Sequence, residues 1–115
     1  MSSEPPRATL LNSSDGVCVG TIYDFAKAGD TLAQHSHTYG VDDHYTVIAK
    51  GAIKVSSGPQ DEPGNYWEQN YWEPGPVLDH KPLPKQTIVV HEFVALTDGA
   101  RIVNLRKSAL NEGAA

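Results

Sequence analysis

The stretch from Gly29 to Gly51, GDTLAQHSHTYGVDDHYTVIAKG, constrains the fold more than any other part of the chain. His35-Ser36-His37 is followed after six residues by His44, and after six more by Gly51. Side chains at i and i+2 of a β-strand share a face, about 7 Å apart along the chain. Two imidazoles so placed can lean onto one cation, which needs metal–nitrogen bonds of roughly 2.0–2.1 Å. The segment HYTVIAKGAIKV, His44 to Val55, reads as two strands joined by a tight turn at Ala49-Lys50-Gly51. His44 would then lie on a strand beside the first. Such spacing asks for a β-fold that turns its histidines inward.

The remaining segments read as short strands too. Met1 to Arg7, with Pro5-Pro6, reads as a loose tail, and Ala8 to Asn12 as a short strand before the turn cluster Ser13-Ser14-Asp15-Gly16. VCVGTIYDF, Val17 to Phe25, is rich in β-branched and aromatic residues and predicts a strand. Thr31 to Tyr39 is the strand carrying the first two histidines, and Gly40 to Asp43 a loop. SSGPQDEPG, Ser56 to Gly64, reads as a solvent loop by composition. Asn65-Tyr66-Trp67-Glu68-Gln69 is then repeated as Asn70-Tyr71-Trp72-Glu73-Pro74. On a continuous strand the five-residue offset would point Trp67 and Trp72 to opposite faces, one to a core or pocket and one to an edge.

After Pro74-Gly75 come a short apolar stretch, Val77 to His80, and a proline-stiffened loop, Lys81 to Lys85. TIVVHEFVAL, Thr87 to Leu96, predicts a strand with His91 on the face of Val89, Phe93 and Ala95. Thr97-Asp98-Gly99-Ala100 reads as a hairpin turn, ARIVNL as the last strand, and Arg106 to Ala115 as a polar tail. Eight or nine short strands and no helix predict an all-β sandwich or barrel.

At 115 residues the chain is one domain, able to bury roughly two-thirds of its unfolded surface. A net charge of -5 argues against an electrostatic grip on nucleic acid or anionic lipid. No apolar run approaches a membrane span, and MSSEPPRATLL lacks the charged-then-apolar order of a signal peptide. Cys18 is the only cysteine, which excludes an internal disulfide and fits a reducing compartment. The expectation is a soluble, cytoplasmic domain acting on a small molecule.

Gly29, five residues, His35-x-His37 and a closing Gly51 resemble the first motif of the cupins. That motif carries a Glu between its histidines and its last Gly, and this chain has none there. Counting forward from His37 puts the acidic position near Asp42, whereas counting back from Gly51 puts it at His44. A turn pins strand register more firmly than a loop does, so His44 replaces the Glu, and Asp42 and Asp43 belong to the loop. The cupin second motif places a metal-binding His on a strand after a Gly-to-Pro region. Gly75 to Pro84 followed by His91 has that order, without the usual Pro-x-Gly. His80 competes for the fourth place with no spacing to recommend it.

The resemblance spans about Val17 to Leu105. It implies a double-stranded β-helix, the jelly-roll barrel, in which His35, His37, His44 and His91 hold one divalent transition metal. It also implies a homodimer, since many cupins pair through their sheets. Imidazole ligands suit Fe, Ni, Cu or Zn, and without a carboxylate Mg or Ca is disfavoured. Four neutral ligands leave the ion its full charge, which suits polarising an oxygenated substrate. Cupins with such sites include dioxygenases, and others act as non-redox cyclases, isomerases or lyases. A non-catalytic metal- and ligand-binding module is the remaining reading. Tyr39 and Tyr45 are the acid/base candidates beside Asp42, Asp43 and Glu92, and Trp67 and Trp72 are candidate substrate contacts.

Overall fold

A computed structural model describes residues 4–37, 44–59, 67–80 and 89–106; at 34–37, 44, 59, 79, 80, 89 and 90 it describes backbone alone. The described residues contain nine strands and no helix, as the sequence predicts. These are β1 (Arg7–Asn12), β2 (Cys18–Asp24), β3 (Thr31–His37), β4 (His44–Lys50), β5 (Ile53–Pro59), β6 (Trp67–Tyr71), β7 (Val77–His80), β8 (Val89–Ala95) and β9 (Arg101–Arg106). They form two antiparallel sheets, one in the order β1-β2-β9-β4-β7 and one in the order β3-β8-β5-β6. From β2 onward the partners nest: β2 with β9, β3 with β8, β4 with β7, β5 with β6.

Alternation along the strands builds the space between the sheets. Ile53, Val55 and Ser57 on β5 and His91, Phe93 and Ala95 on β8 are buried, while Lys54, Ser56, Glu92 and Val94 between them are half-exposed. From the other sheet Thr46 and Ile48 on β4 and Ile102 on β9 are buried, with Tyr23 and Leu78 packed against the core. Fully buried side chains such as Phe93, Ile48 and Ile53 each contribute roughly 1.5–3 kcal/mol. Glu92, an acid/base candidate above, falls on the outer face, since it alternates with the buried His91 and Phe93.

Several expectations are corrected. The tight turn after Lys50 does not close a hairpin, because β4 and β5 belong to different sheets. His44 is therefore not on a strand beside β3; its strand belongs to the opposite sheet. The Asp98-Gly99 turn likewise carries the chain from β8 in one sheet to β9 in the other. These two turns brace each other: the Ala52 N–H donates to Thr97 Oγ1 at 3.0 Å, and the Leu96 N–H to the Ala52 carbonyl at 2.9 Å.

Two further connections join the same end. Gly29 N–H donates to the Ala95 carbonyl, Ala28 N–H to Asp98 Oδ1, and Gly75 N–H to the Ile48 carbonyl, each at 2.8 Å. One end of the sandwich is thus four sheet-to-sheet turns tied together by backbone N–H donors, to carbonyls and to the side chains of Thr97 and Asp98.

Ser56 to Pro59 are not loop. They extend β5, which has a partner on both sides, so ladder bonds from β8 and β6 outweigh the weak strand preference of Ser and Gly. The N-terminal segment is not loose from Glu4 onward, since its N–H donates to Asp30 Oδ1 and its carbonyl accepts from Thr31 N–H. Position 7, assigned above to the tail, already pairs with Asp24 in β1. Arg106, assigned above to the polar tail, is the last residue of β9. The remaining loops and tail named above, residues 40–43, 60–64, 81–85 and 107–115, lie outside the described residues.

Candidate metal centre

The opposite end of the sandwich collects the histidines. β3 ends at His37 and β4 begins at His44, seven residues on; β7 ends at His80, and β8, beginning at Val89, carries His91. The chain has five histidines, and all five fall on these strand ends. Register brings them into pairs. His35 is opposite His91 across β3 and β8, and His44 is opposite His80 across β4 and β7. The two pairs belong to different sheets. Only the backbone register is described for His35, His37, His44 and His80.

The first pair depends on an irregularity in β3. Leu32 faces Phe93 and His35 faces His91, so three steps on β3 match two on β8. The extra residue of this bulge lets an apolar core position and a histidine position of opposite sequence parity occupy successive rows of one sheet. On a regular strand, even positions such as Leu32 would exclude position 35 from that row.

His91 is 3% exposed, and its neighbour across β5, Ser57, is 4% exposed. Ser57 Oγ lies 2.9 Å from His91 Nδ1, and the imidazole stacks at 6.5 Å between centroids on Phe93. A buried imidazole left without partners would cost about 1–3 kcal/mol, so the serine has a clear structural part. It also bears on chemistry. When Nδ1 carries the proton it donates to Ser57 Oγ, and Nε2 keeps the lone pair that a metal requires.

The facing sheet has its own polar step. Thr46 is fully buried and donates from Oγ1 to Asn104 Oδ1 at 2.6 Å across β4 and β9. Asn104 is two residues above Ile102 of the core and two below Arg106, which is exposed and opposite His44 in register. Polarity therefore rises in rows toward the histidine end: Ile102 and Ile48, then Asn104 and Thr46, then Arg106 and His44.

Other sequence candidates divide. Trp67 lies opposite Ser57 at the start of β6, 45% exposed, at the histidine end. Trp72 follows the far end of β6, beyond the pair Ile53–Tyr71, and is 64% exposed. The structure does not bring it to the histidines. Tyr45 is half-buried and alternates with the buried Thr46, on the outer side of β4. Tyr39, Asp42 and Asp43 lie outside the described residues. Among the described side chains no group of three His, Cys, Asp or Glu gathers as for a metal ion.

No family model, curated protein or solved structure matches the chain. No described helix is long and apolar enough to cross a membrane.

Three features escaped the sequence reading. Ser57 sits in a stretch whose composition resembles a loop. The His44–His80 register joins residues thirty-six apart, with no local signal. Asn104 and Thr46 are fifty-eight apart, and only the alternation in RIVNLR hinted that position 104 turns inward with Ile102.

Proposed function

We propose that this chain is a cupin whose nested strand pairing is a jelly roll, and that His35, His37, His44 and His91 hold one divalent transition metal. The observation that carries the proposal is the His35–His91 register with His44 on a strand of the other sheet, at the end where all five histidines lie. The donor set fits such an ion: His91 has Nδ1 engaged by a buried serine, the support a metal-bound imidazole ordinarily has. All-imidazole ligation favours Fe, Ni, Cu or Zn.

The activity we assign is that of a metal-dependent dioxygenase acting on a small oxygenated substrate. When bound, the metal supplies the site for dioxygen and for an oxygen of the substrate. The chain's own residues orient and exclude. Ser57 and Thr46 hold His91 and Asn104 in place, and the Asn104 amide offers hydrogen bonds without ionising, which suits a reaction in which the protein orients an oxygen-rich ligand rather than moving its protons. Trp67 supplies an apolar surface at the mouth. The same donors would serve a non-redox cyclase or isomerase, so oxygen uptake is the discriminating measurement.

Untagged protein should carry about one transition metal ion per chain by elemental analysis. The His35→Ala/His37→Ala double variant should carry none. With small diketones or catechol-like substrates the metal-loaded protein should consume oxygen. Substrate conversion without oxygen uptake would move the assignment to the non-redox class, and full metal in the double variant would remove the site.

A further inference from the structure

An exposed arginine at a strand end ordinarily does no more than solvate that end. Arg106 differs in its address. It closes β9 opposite His44, in a chain whose acidic side chains outnumber Lys and Arg by 14 to 9. Along β9 its parity is that of Ile102, buried in the core, and of Asn104, whose side chain turns between the sheets to meet Thr46. A positive charge thus stands on the histidine row, one step outward from a half-buried amide.

The amide is polarised in a useful sense. Thr46 Oγ1 takes Asn104 Oδ1, which leaves the two N–H bonds of the amide as the donors on that side chain. Guanidinium binds carboxylate in a two-pronged, charge-assisted geometry that ammonium cannot reproduce. Positions two apart on a strand are separated by about 7 Å, the span of a molecule of a few carbons.

We infer that Arg106 and Asn104 are the ligand-recognition residues of this end, and that the ligand is a small carboxylate bearing a second oxygen. Arg106 takes the carboxylate and Asn104 donates to the carbonyl or hydroxyl oxygen beside it. The inference rests on the metal centre proposed above and names the substrate class for it. It also accounts for the steep change from apolar to charged within three alternate positions of one strand.

The test uses untagged full-length protein loaded with Co(II), whose visible spectrum reports ligands entering the metal's surroundings. Glycolate and its neutral isostere glycolamide are the probes. Wild-type protein should bind glycolate at least about 10-fold more tightly than glycolamide, the size expected of one charge-assisted contact. Arg106→Gln should bring the two within about 2-fold while keeping its cobalt and its ligand-free spectrum, and Arg106→Lys should restore part of the preference. Asn104→Leu should weaken both probes alike. An unchanged preference in Arg106→Gln, no preference in the wild type, or loss of cobalt on Arg106→Gln would each overturn the inference.

Should the protein take up no cobalt, the metal centre fails and the anion site is still read separately. In metal-free protein, glycolate should shift the Arg106 Nε–H resonance in the nitrogen-15 NMR spectrum and glycolamide should not. Absence of that shift would reject the carboxylate site.

Discussion

Ser57 Oγ on β5 and His91 Nδ1 on β8 lie 2.9 Å apart, and both side chains are buried. They are direct register partners, so the backbone ladder, rather than a flexible loop, sets their separation. A serine held in this way can accept from Nδ1–H, which fixes the ring's rotation and would leave Nε2 as the nitrogen for the proposed metal.

Ser57→Ala should therefore act twice. Leaving Nδ1 without its partner should cost about 1–3 kcal/mol in chemical denaturation of the metal-free protein. Metal affinity, measured by competition with a chelator, should fall about 10- to 100-fold. Ser57→Cys, which keeps a weak hydrogen-bonding group of similar shape, should fall between. Loss of stability with untouched affinity would confine Ser57 to a structural part.

The end away from the histidines makes a separate claim. Gly51 has φ +68°, and a Cβ there would lie 2.5 Å from Thr97 Oγ1 and 3.1 Å from Ala100 Cα. Gly99 has φ +72° and open space around it. Gly99→Ala should lose only the left-handed penalty, about 1–2 kcal/mol. Gly51→Ala adds a collision that displaces Thr97 from the Ala52 N–H. It should cost roughly 1–2 kcal/mol beyond Gly99→Ala in matched denaturant melts. Equal losses would mean that the two turns do not brace each other as described.

What the sequence revealed follows from how far each signal reaches. The short apolar stretch Val77 to His80 coincides with β7, because Pro74-Gly75 lies in the turn between β6 and β7 and the apolar run follows it. β4 spans His44–Lys50, the first of the two strands that HYTVIAKGAIKV predicts, and Gly51 with its positive φ follows it. Gly51 marked the turn but not its destination. A glycine reports the local backbone, whereas the choice between hairpin and crossover is made by the core that Ile48 and Ile53 enter from opposite sheets. Ser57 looked like loop because its strand state comes from neighbours on both sides. The histidines were legible as residues; their pairing, His35 with His91 and His44 with His80, was not.

The end of the β2–β9 pair, inside the five-stranded sheet, carries a pH-dependent contribution. Asp24 and Arg101 are register partners, with Nε 2.6 Å from Oδ1 and Nη2 3.4 Å from Oδ2. The hydrogen bond from Arg101 is the main cause holding the Asp24 carboxyl below its ordinary value; partial desolvation opposes it, and the charges of Arg101, Arg7 and Lys50 add to it. A lowered folded-state pKa favours folding above the unfolded value, roughly pH 4, and the contribution fades as pH falls through the folded value. Asp24→Asn should thus lower stability at pH 7 and leave it nearly unchanged near pH 2. Thermal melts across that interval give the comparison, and an equal loss at both ends would trace the effect to packing instead of charge.

The two histidines that are register partners across β4 and β7 decide the composition of the proposed metal centre. His44 is taken as the ligand because it is fixed by the Gly51 turn, and position 44 has the parity of the buried Thr46 and Ile48. Its register partner His80 has the parity of Leu78, which packs against the core, so both positions belong to the same row. Removing a ligand should weaken metal binding by about 10-fold or more, since losing even a supporting group can cost that much. His44→Ala should show this loss, His80→Ala a smaller one, and Asp42→Ala little change, in chelator competition on untagged protein. A larger loss from His80→Ala would pass the ligand position to β7 and leave His44 as its neighbour. A dominant loss from Asp42→Ala would mean a carboxylate in the site, lowering the charge on the ion and with it the attraction for an anionic substrate. The ranking of these three variants therefore fixes the ligand set and the charge that a substrate meets.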